Sequence, residues 1–204
     1  NAGIDQTVCG NNAVVTLSGA VTVSTGGGWT TLGSGTFSPD TFSLNTTYIP
    51  SAADTAAGSV QIILTTTGNG TCISVSDTMT VTISDIPKVN AGANKLVCLS
   101  NPAVSISGTS STGSGQWTTL GSGTFADANA LATTYTASVA DTTAGSVMLV
   151  LASASNGLCN AVTDTMLLTF VTTPVVNAGI DQTVCANADT VSLSGTSSTG
   201  AGQW

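Results

Sequence analysis

The sequence contains no histidine, no arginine and no glutamate, and its only basic side chains are Lys88 and Lys95. Without histidine and glutamate, most general acid–base chemistry and histidine-ligated metal sites lack their usual residues. A net charge of −8 with two lysines also leaves few cations to neutralise nucleic-acid phosphates or to bind an anionic membrane surface. We therefore expect a protein that is not an enzyme, needs no cofactor or metal, and does not bind nucleic acid.

Long apolar runs are missing as well. The longest runs, such as residues 147–152, have the length of a strand and fall far short of the roughly 20 residues that span a bilayer. The N-terminus shows no charged-then-apolar signal peptide, so we expect no membrane insertion of this stretch. Because the sequence opens without methionine, we interpret it as a segment of a longer mature polypeptide.

Threonine, serine and glycine dominate what is present, with 37, 25 and 23 residues respectively. Hydrophobic residues make up 41% of the chain and recur in short patterned runs, which a disordered chain would not show. This composition is typical of a β-rich extracellular protein whose outer faces are covered with hydroxyl groups.

The sequence repeats with a period of 87 to 89 residues. Residues 1–9 return verbatim as residues 177–185, and residues 29–37 return verbatim as residues 117–125. A period of this length exceeds that of solenoid repeats and matches an independently folding sandwich domain. We predict a first domain at 1–87, a second at 88–175 and the beginning of a third at 176–204.

Alternating hydrophobicity within each repeat predicts strands. Val15 and Leu17 point to one face, and Val104 with Ile106 and Val191 with Leu193 repeat that pattern. No stretch of a dozen residues shows a helical stripe, so the sequence predicts all-β, antiparallel, immunoglobulin-like (Ig-like) sandwiches. The predicted core of the first repeat is Val15, Leu17, Trp29, Phe37, Tyr48, Val60, Ile62, Leu64, Met79, Val81 and Ile83. In the second repeat, Met166, Leu168 and Phe170 take the last three of these places.

The five cysteines follow the repeat. Cys9 and Cys72 lie 63 residues apart, Cys98 and Cys159 lie 61 apart, and Cys185 occupies the position of Cys9 in the third repeat. We predict one disulfide in each domain, Cys9–Cys72 and Cys98–Cys159, with Cys185 paired beyond this stretch. Each bond would add about 4 kcal/mol in the loop-entropy account and would indicate an oxidising compartment. Zinc is the rival interpretation, but CxxC spacing and histidine are both lacking.

Two features keep an alternative interpretation. Trp29 and Trp117 are predicted to be core residues, with an exposed sugar-stacking platform as the alternative. Calcium could bind singly placed aspartates at loops and linkers, although no DxDxDG loop exists; the candidates are Asp5, Asp54, Asp85, Asp141 and Asp181.

The proline-containing joints at 86–90 and 173–177 are short, which predicts a semi-rigid string of domains.

The run Asn-Ala-Gly-Ile-Asp-Gln-Thr-Val-Cys, followed by Val-Ser-Leu-Ser-Gly at 191–195 and by Ser-Gly-Thr-Phe, resembles a known class of repeats. It is similar to the PKD-like and Ig-like repeats of very large Bacteroidetes cell-surface adhesins, including SprB-like gliding-motility adhesins and other type IX-secreted proteins. The Trp-Asp-Phe-Gly-Asp-Gly signature of PKD domains is absent, since Trp29 and Trp117 are followed by Thr-Thr-Leu-Gly-Ser-Gly. The resemblance implies an extracellular adhesin or surface filament.

The same resemblance gives meaning to a recurring Asp-Thr pair followed by a small or aliphatic residue. This pattern is similar to the O-glycosylation sequon of that bacterial group. It would make glycan acceptors of Thr55, Thr78, Thr142, Thr165 and Thr190. The alternative is that the aspartates cap turns before strands.

We predict from these features a non-catalytic structural region of a long, extracellular, cell-surface adhesin or filament, forming a disulfide-stapled and glycosylated stalk. Its partners would be neighbouring repeats of the same chain, copies of itself in a filament, and a surface polysaccharide. Two alternatives remain: an array of carbohydrate- or surface-binding modules, and an accessory region of a large secreted hydrolase.

Overall fold

The structure is a computed structural model and describes residues 1–187 and 190–204. Asp189, the aspartate of the fifth Asp-Thr pair, lies outside the described residues. Two β-sandwiches with the same order of strands follow one another along the chain, and a two-stranded ribbon begins the third repeat.

The first repeat contains seven strands and one short helix. In chain order they are β1 Gln6–Cys9, β2 Val15–Ser18, β3 Gly26–Thr31, β4 Thr36–Ser38, β5 Asn45–Ile49, α1 Ala52–Ala57, β6 Ser59–Thr67 and β7 Ser76–Ser84.

The second repeat reproduces these elements and adds a small ribbon at its start. The elements are β8 Val89–Asn90, β9 Lys95–Cys98, β10 Ala103–Ser107, β11 Thr109–Ser110, β12 Gly115–Thr119, β13 Thr124–Phe125, β14 Ala132–Thr136, α2 Val139–Ala144, β15 Ser146–Ser153 and β16 Thr163–Val171. Strands β8 and β11 form the ribbon. In the third repeat, β17 Val176–Asn177 and β18 Thr196–Ser197 form the same ribbon.

Each sandwich has a four-stranded and a three-stranded sheet. The orders are β1-β7-β6-β3 and β2-β5-β4 in the first repeat, and β9-β16-β15-β12 and β10-β14-β13 in the second. The predicted all-β sandwich is confirmed, but the sheets are not purely antiparallel. The first strand of each repeat runs parallel to the last one, β1 with β7 and β9 with β16.

This parallel pairing sets the direction of the chain through each repeat. Strands β1 and β7 run side by side and end together, with Cys9 opposite Ser84. The chain therefore leaves the first repeat at the end where β1 finishes, which we call its C-terminal pole. The β6–β7 loop and Asn1 lie at the opposite end, the N-terminal pole, because the backbone amide of Ala2 donates to Asp77 at the start of β7. Repeats built in this way join end to end.

The two hydrophobic cores are separate and match the sequence prediction. Every predicted core residue of the first repeat is buried except Phe37, which is half-buried against Tyr48 with ring centroids 5.1 Å apart. Met166, Leu168 and Phe170 are buried in the second core. The period-2 pattern of hydrophobic residues is enough to locate this core because alternate residues of a strand face the same side.

Helices α1 and α2 were not predicted from the sequence. Each has only six residues and begins with a capping box, in which the Ser51 or Ser138 side chain accepts from the backbone of the aspartate three residues on. Each ends at a glycine, Gly58 or Gly145, with a positive φ. Helices this short are less than two turns long and present no hydrophobic stripe. Their stability comes from caps and from packing on the sandwich.

Val191 and Leu193 do not form the strand that their alternation predicts. Both side chains are about half exposed, at 45% and 59%. In the complete repeats the equivalent strands, β2 and β10, pair with β5 and β14. Among the described residues after 190, the one strand is β18, which pairs with β17. Within the described residues, no helix has the length and apolar character needed to cross a bilayer.

Candidate functional site: the joint between the repeats

The joint brings the C-terminal pole of the first repeat against the N-terminal pole of the second. On one side lie Cys9 at the end of β1 and Ser84 at the end of β7. On the other side lies the loop between β15 and β16, which carries Cys159. These elements are distant in sequence and meet only because the two sandwiches stack end to end.

A disulfide links Cys9 to Cys159 across this joint, with Cα atoms 5.0 Å apart and a sequence separation of 150. This pairing corrects our prediction. Cys9 is not bonded to Cys72, and Cys98 is not bonded to Cys159; Cys72, Cys98 and Cys185 carry free thiols. The described chain therefore has one disulfide between two repeats in place of one inside each.

Strand length explains why the predicted pairs do not form. Cys72 precedes β7, whereas Cys9 lies opposite Ser84, the last residue of that strand. Nine strand residues at about 3.3 Å each separate the two ends of β7 by roughly 30 Å, and a disulfide requires Cα atoms within about 7 Å. The same holds for Cys159 and Cys98, which lie at opposite ends of β16. Two cysteines at matched intervals can still lie at opposite poles.

Two asparagines reinforce the disulfide. The Asn11 side-chain amide donates to the Asn160 carbonyl at 3.0 Å, and the Asn160 backbone amide donates to Asn11 Oδ1 at 3.0 Å. The Asn160 side-chain amide donates to the Asn11 carbonyl at 3.3 Å. Three hydrogen bonds beside a covalent bond fix both the tilt and the rotation of one repeat on the other.

The linker itself is part of the second repeat. Val89 and Asn90 form β8 and pair with β11, and the Ser111 backbone amide donates to the Lys88 carbonyl at 2.8 Å. Val89 also packs against the second core. Little free backbone is left between Ser84 and β8, which agrees with the short joint that the prolines predict.

A buried tyrosine–aspartate pair lies inside each sandwich. The Tyr48 hydroxyl donates to Asp54 Oδ2 at 2.7 Å, and the Tyr135 hydroxyl donates to Asp141 Oδ2 at 2.8 Å. The Asp141 carboxylate also accepts from the backbone amides of Ser122 and Ser138, each at 2.9 Å. The pair therefore ties the start of the helix to strand β14 and to the turn after β12.

These contacts control the charge of the carboxylates. Burial alone raises the pKa of Asp141, but hydrogen bonds from the Ser122 and Ser138 amides and from the Tyr135 hydroxyl outweigh it and lower the pKa to about 2. The same balance lowers the pKa of Asp54. Burial raises the pKa of Tyr48 and Tyr135. At neutral pH each pair is a neutral phenol donating to a charged carboxylate.

The tyrosine–aspartate pair explains the verbatim segment Trp-Thr-Thr-Leu-Gly-Ser-Gly-Thr-Phe. A Cβ atom at Gly33 would collide with the Asp54 carboxylate, and one at Gly35 would meet the Tyr48 hydroxyl. The Ser34 amide donates to Asp54 and the Gly35 amide donates to the Tyr48 hydroxyl. The Gly-Ser-Gly part of the segment therefore wraps the buried pair.

The threonines of the Asp-Thr pairs fall into two groups. Thr78, Thr165 and Thr190 are exposed. Thr55 and Thr142 are half-buried in the helices, and their hydroxyls donate to the carbonyls of Ser51 and Ser138.

Four of the aspartates beside them have structural roles. Asp54 and Asp141 cap helices, and Asp77 and Asp164 accept from the backbone amides of Ala2 and Ala91.

The calcium candidates do not converge. Asp5 accepts from the Thr80 backbone amide, and Asp54 and Asp141 are occupied in the buried pairs. In the part of the chain that the structure describes, no three cysteine or aspartate residues are grouped closely enough to hold a metal ion.

Both tryptophans of the complete repeats lie in the cores. Trp29 and Trp117 are each 1% exposed, and their indole N–H groups donate to the carbonyls of Ser43 and Leu131. The core prediction is confirmed, and neither indole can serve as a sugar-stacking platform.

Two features of the site were missed in the sequence. The tyrosine–aspartate pair had a detectable pattern, because a tyrosine precedes a Ser-x-x-Asp capping box by three residues in both repeats. The Asn11–Asn160 contact had none, since Ser100 and Ile73 stand at the corresponding places of the other repeat.

The chain was compared with family models, curated proteins and solved structures. No protein-family model matches the sequence, and no curated protein matches it. Among solved structures, a three-domain fragment of mouse protocadherin-24 is 10% identical over 96% of this chain and 73% of that one, with a TM-score of 0.44. An I-band fragment of titin is 12% identical over 84% of this chain and 64% of that one, with a TM-score of 0.39.

Extracellular cadherin domains of protocadherin gamma B2 are 13% identical over 85% of this chain, with a TM-score of 0.39. The present chain spans about half (48%) of that fragment.

Proposed function

We propose that this chain is a non-catalytic spacer in a long extracellular surface protein, in which β-sandwich repeats are fastened end to end into a stalk. The observation that carries the proposal is the Cys9–Cys159 disulfide between successive repeats. A covalent bond placed at a joint contributes to the geometry of the string, whereas one placed inside a domain would contribute only to that domain. The domain limits we propose are 1–87, 88–175 and 176–204.

The direction of the strands supports a stalk. Each repeat receives the chain at one pole and releases it at the other, because its first and last strands are parallel neighbours. The buried residues of the two repeats occupy separate cores. Length can therefore be added one repeat at a time without rearranging any core.

Composition and redox chemistry support an extracellular location of the protein. Disulfides persist in oxidising compartments, and the threonine- and serine-rich surface carries little charge. We propose a cell-surface adhesin or filament similar to the gliding-motility adhesins of Bacteroidetes, whose partners are its own neighbouring repeats and further copies of itself.

Loss of the disulfide should loosen the joint. We expect small-angle X-ray scattering of the oxidised chain to fit a single arrangement of the two repeats. For Cys9→Ser we expect a broad set of arrangements, with each repeat still folded by circular dichroism. The matched control is Cys98→Ser, which removes a free thiol and should scatter like the parent chain. Equal rigidity in Cys9→Ser and the parent would refute the role of this bond.

We also propose that Thr78, Thr165 and Thr190 carry O-linked glycans. Their exposed hydroxyls are free for modification, whereas Thr55 and Thr142 would each have to give up a hydrogen bond to the helix backbone. Peptides that contain Thr78 or Thr165, released by proteolysis from protein of the native source, should be heavier than their amino-acid sequences by the mass of a glycan. Thr78→Val and Thr165→Val should each abolish the added mass on the peptide concerned, and the peptide that contains Thr55 should carry none. Peptides around Thr78, Thr165 and Thr190 with the masses of their bare sequences would contradict the proposal.

A further inference from the structure

We propose that Cys98 and Cys72 are the two halves of further joints of the same kind. Cys98 would bond to the cysteine that the following repeat carries in its loop equivalent to β6–β7. Cys72 would bond to the cysteine at the end of the first strand of the preceding repeat. The occupant of each is thus another copy of this repeat. This inference rests on the proposed function. It adds that every joint of the array carries a disulfide, so that the chain segments closed by successive disulfides overlap.

The C-terminal pole of the second repeat is built like that of the first. Cys98 ends β9 opposite Val171, as Cys9 ends β1 opposite Ser84. The turn after each cysteine is the same. The backbone amide of Asn101 donates to the Cys98 carbonyl at 3.0 Å, and the backbone amide of Asn12 donates to the Cys9 carbonyl at 2.9 Å. The thiol of Cys98 is therefore presented as that of Cys9 is.

The surroundings of Cys98 also favour ionisation of its thiol. Hydrogen bonds from the hydroxyls of Ser100 and Thr173 lower its pKa. A larger thiolate fraction speeds attack on a disulfide.

The N-terminal pole of the first repeat matches that of the second. The Cys72 amide donates to the Asn69 carbonyl, and the Cys159 amide donates to the Asn156 carbonyl. Both asparagine side chains hold the end of the preceding strand, by donating to Thr66 and Ser153 at 3.1 Å. Cys72 thus occupies the position from which Cys159 reaches Cys9.

A groove beside Cys72 indicates what docks there. It has a volume of about 330 Å³ and is lined by residues that include Asn1, Val21, Thr22 and Cys72. In the second and third repeats the residues that correspond to this side of the groove pair with the incoming linker. There the backbone amides of Ser111 and Ser198 donate to the carbonyls of Lys88 and Val175. The groove therefore fits the linker of a preceding repeat, and its seating would bring that repeat's cysteine towards Cys72.

The bond requires an oxidant, and a disulfide such as oxidised glutathione supplies it. The Cys98 thiolate attacks one glutathione sulfur and releases a glutathione thiolate. The cysteine of the next repeat then attacks the mixed disulfide and releases the second. Two protein thiols are oxidised to one disulfide and two glutathiones are reduced, so electrons and protons balance.

Bonds of the Cys9–Cys159 kind at alternate joints would make an array almost inextensible, and the Cys98–Cys72 bonds at the remaining joints would add a second covalent path beside the first. From Cys9 a covalent path crosses to Cys159, and only 26 residues of chain separate Cys159 from Cys185, which would begin the next crossing. A stretched array could then lengthen only through that segment once in every two repeats.

The test joins two copies of the chain. Because residues 177–185 are identical to residues 1–9, residues 1–176 can be followed directly by a second copy of 1–204 without altering the sequence at the joint. The doubled chain is refolded with reduced and oxidised glutathione, alkylated and digested with chymotrypsin. We expect mass spectrometry to find the Cys98 peptide joined to the Cys72 peptide, with about half of each remaining alkylated because Cys98 of the second copy and Cys72 of the first have no partner, and the Cys9 and Cys159 peptides joined throughout.

The control is Cys72→Ser in the second copy only. It should remove the Cys98–Cys72 peptide pair and leave all of the Cys98 peptide alkylated while both Cys9–Cys159 bonds persist. Complete alkylation of the Cys98 peptide in the unaltered doubled chain, with those two bonds formed and the β-sheet circular dichroism retained, would overturn this inference and leave the proposed function standing. Absence of the Cys9–Cys159 bonds as well would overturn both.

Discussion

Pulled by its two ends, the oxidised chain should reach a contour length about 500 Å shorter than that of Cys9→Ser. The disulfide short-circuits 150 residues, and an extended residue spans about 3.3 to 3.6 Å. The measurement is single-molecule force extension between tags at Asn1 and Trp204, with the total length taken after the last unfolding event.

The choice of variants separates the two possible pairings. If Cys9 were bonded to Cys72 and Cys98 to Cys159, then Cys9→Ser would still hide the 61 residues between Cys98 and Cys159, about 200 Å of chain. With the observed pairing, Cys9→Ser releases the whole length and Cys98→Ser changes nothing. A gain of length in Cys98→Ser would contradict the structure.

The same bond decides which strands carry tension. Force entering at Asn1 runs along β1 to Cys9, crosses to Cys159 and continues along β16. The rest of both sandwiches lies outside this path. Because β1 and β16 are each paired in parallel with a neighbour, load acts along the strands and has to shear several hydrogen bonds together.

Asp141→Ala should lower the free energy of unfolding of the second repeat by about 3 to 5 kcal/mol at pH 7. The substitution leaves the Tyr135 hydroxyl and the backbone amides of Ser122 and Ser138 without their acceptor. Each unsatisfied buried donor costs about 1 to 3 kcal/mol, which is a large part of the stability of a small domain. Urea unfolding followed by circular dichroism gives the loss, and hydrogen exchange localises it to residues 115–171.

Two comparisons make this prediction specific. Asp127→Ala removes an exposed carboxylate that accepts only a local turn amide, and should cost less than about 1 kcal/mol. Acid should narrow the difference between parent and Asp141→Ala. Since the pKa of Asp141 is about 2 when folded, below its ordinary value, its stabilisation is complete above about pH 4 and is lost as pH falls through 2. A loss of unfolding free energy in Asp141→Ala as small as that in Asp127→Ala would show that the buried pair is dispensable.

The core could be predicted from the sequence because it is local. Val60, Ile62 and Leu64 alternate along one strand, and alternation fixes the buried face whatever the partner strands are. The short helices could not be predicted in this way, since α1 and α2 are held by caps and by the Tyr48–Asp54 and Tyr135–Asp141 contacts instead of a hydrophobic stripe.

The disulfide was mispredicted for a related reason. A regular interval between cysteines states that two positions recur, but it does not state at which end of a strand each of them lies. The parallel pairing of β1 with β7 places Cys9 at one pole and Cys72 at the other, and pairing of distant strands leaves no local trace in the sequence.

By itself, the sequence determined the repeat, its period, the buried face of its strands and the scarcity of catalytic side chains, because composition and periodicity depend on neighbours along the chain. Only the tertiary structure decided that the first and last strands of each repeat are parallel, that an aspartate is buried beneath a tyrosine, and that the cysteine bond crosses a joint. Those outcomes depend on which segments come within a few ångströms of one another. Packing within each sandwich settles the first two, and end-to-end stacking of the sandwiches settles the third.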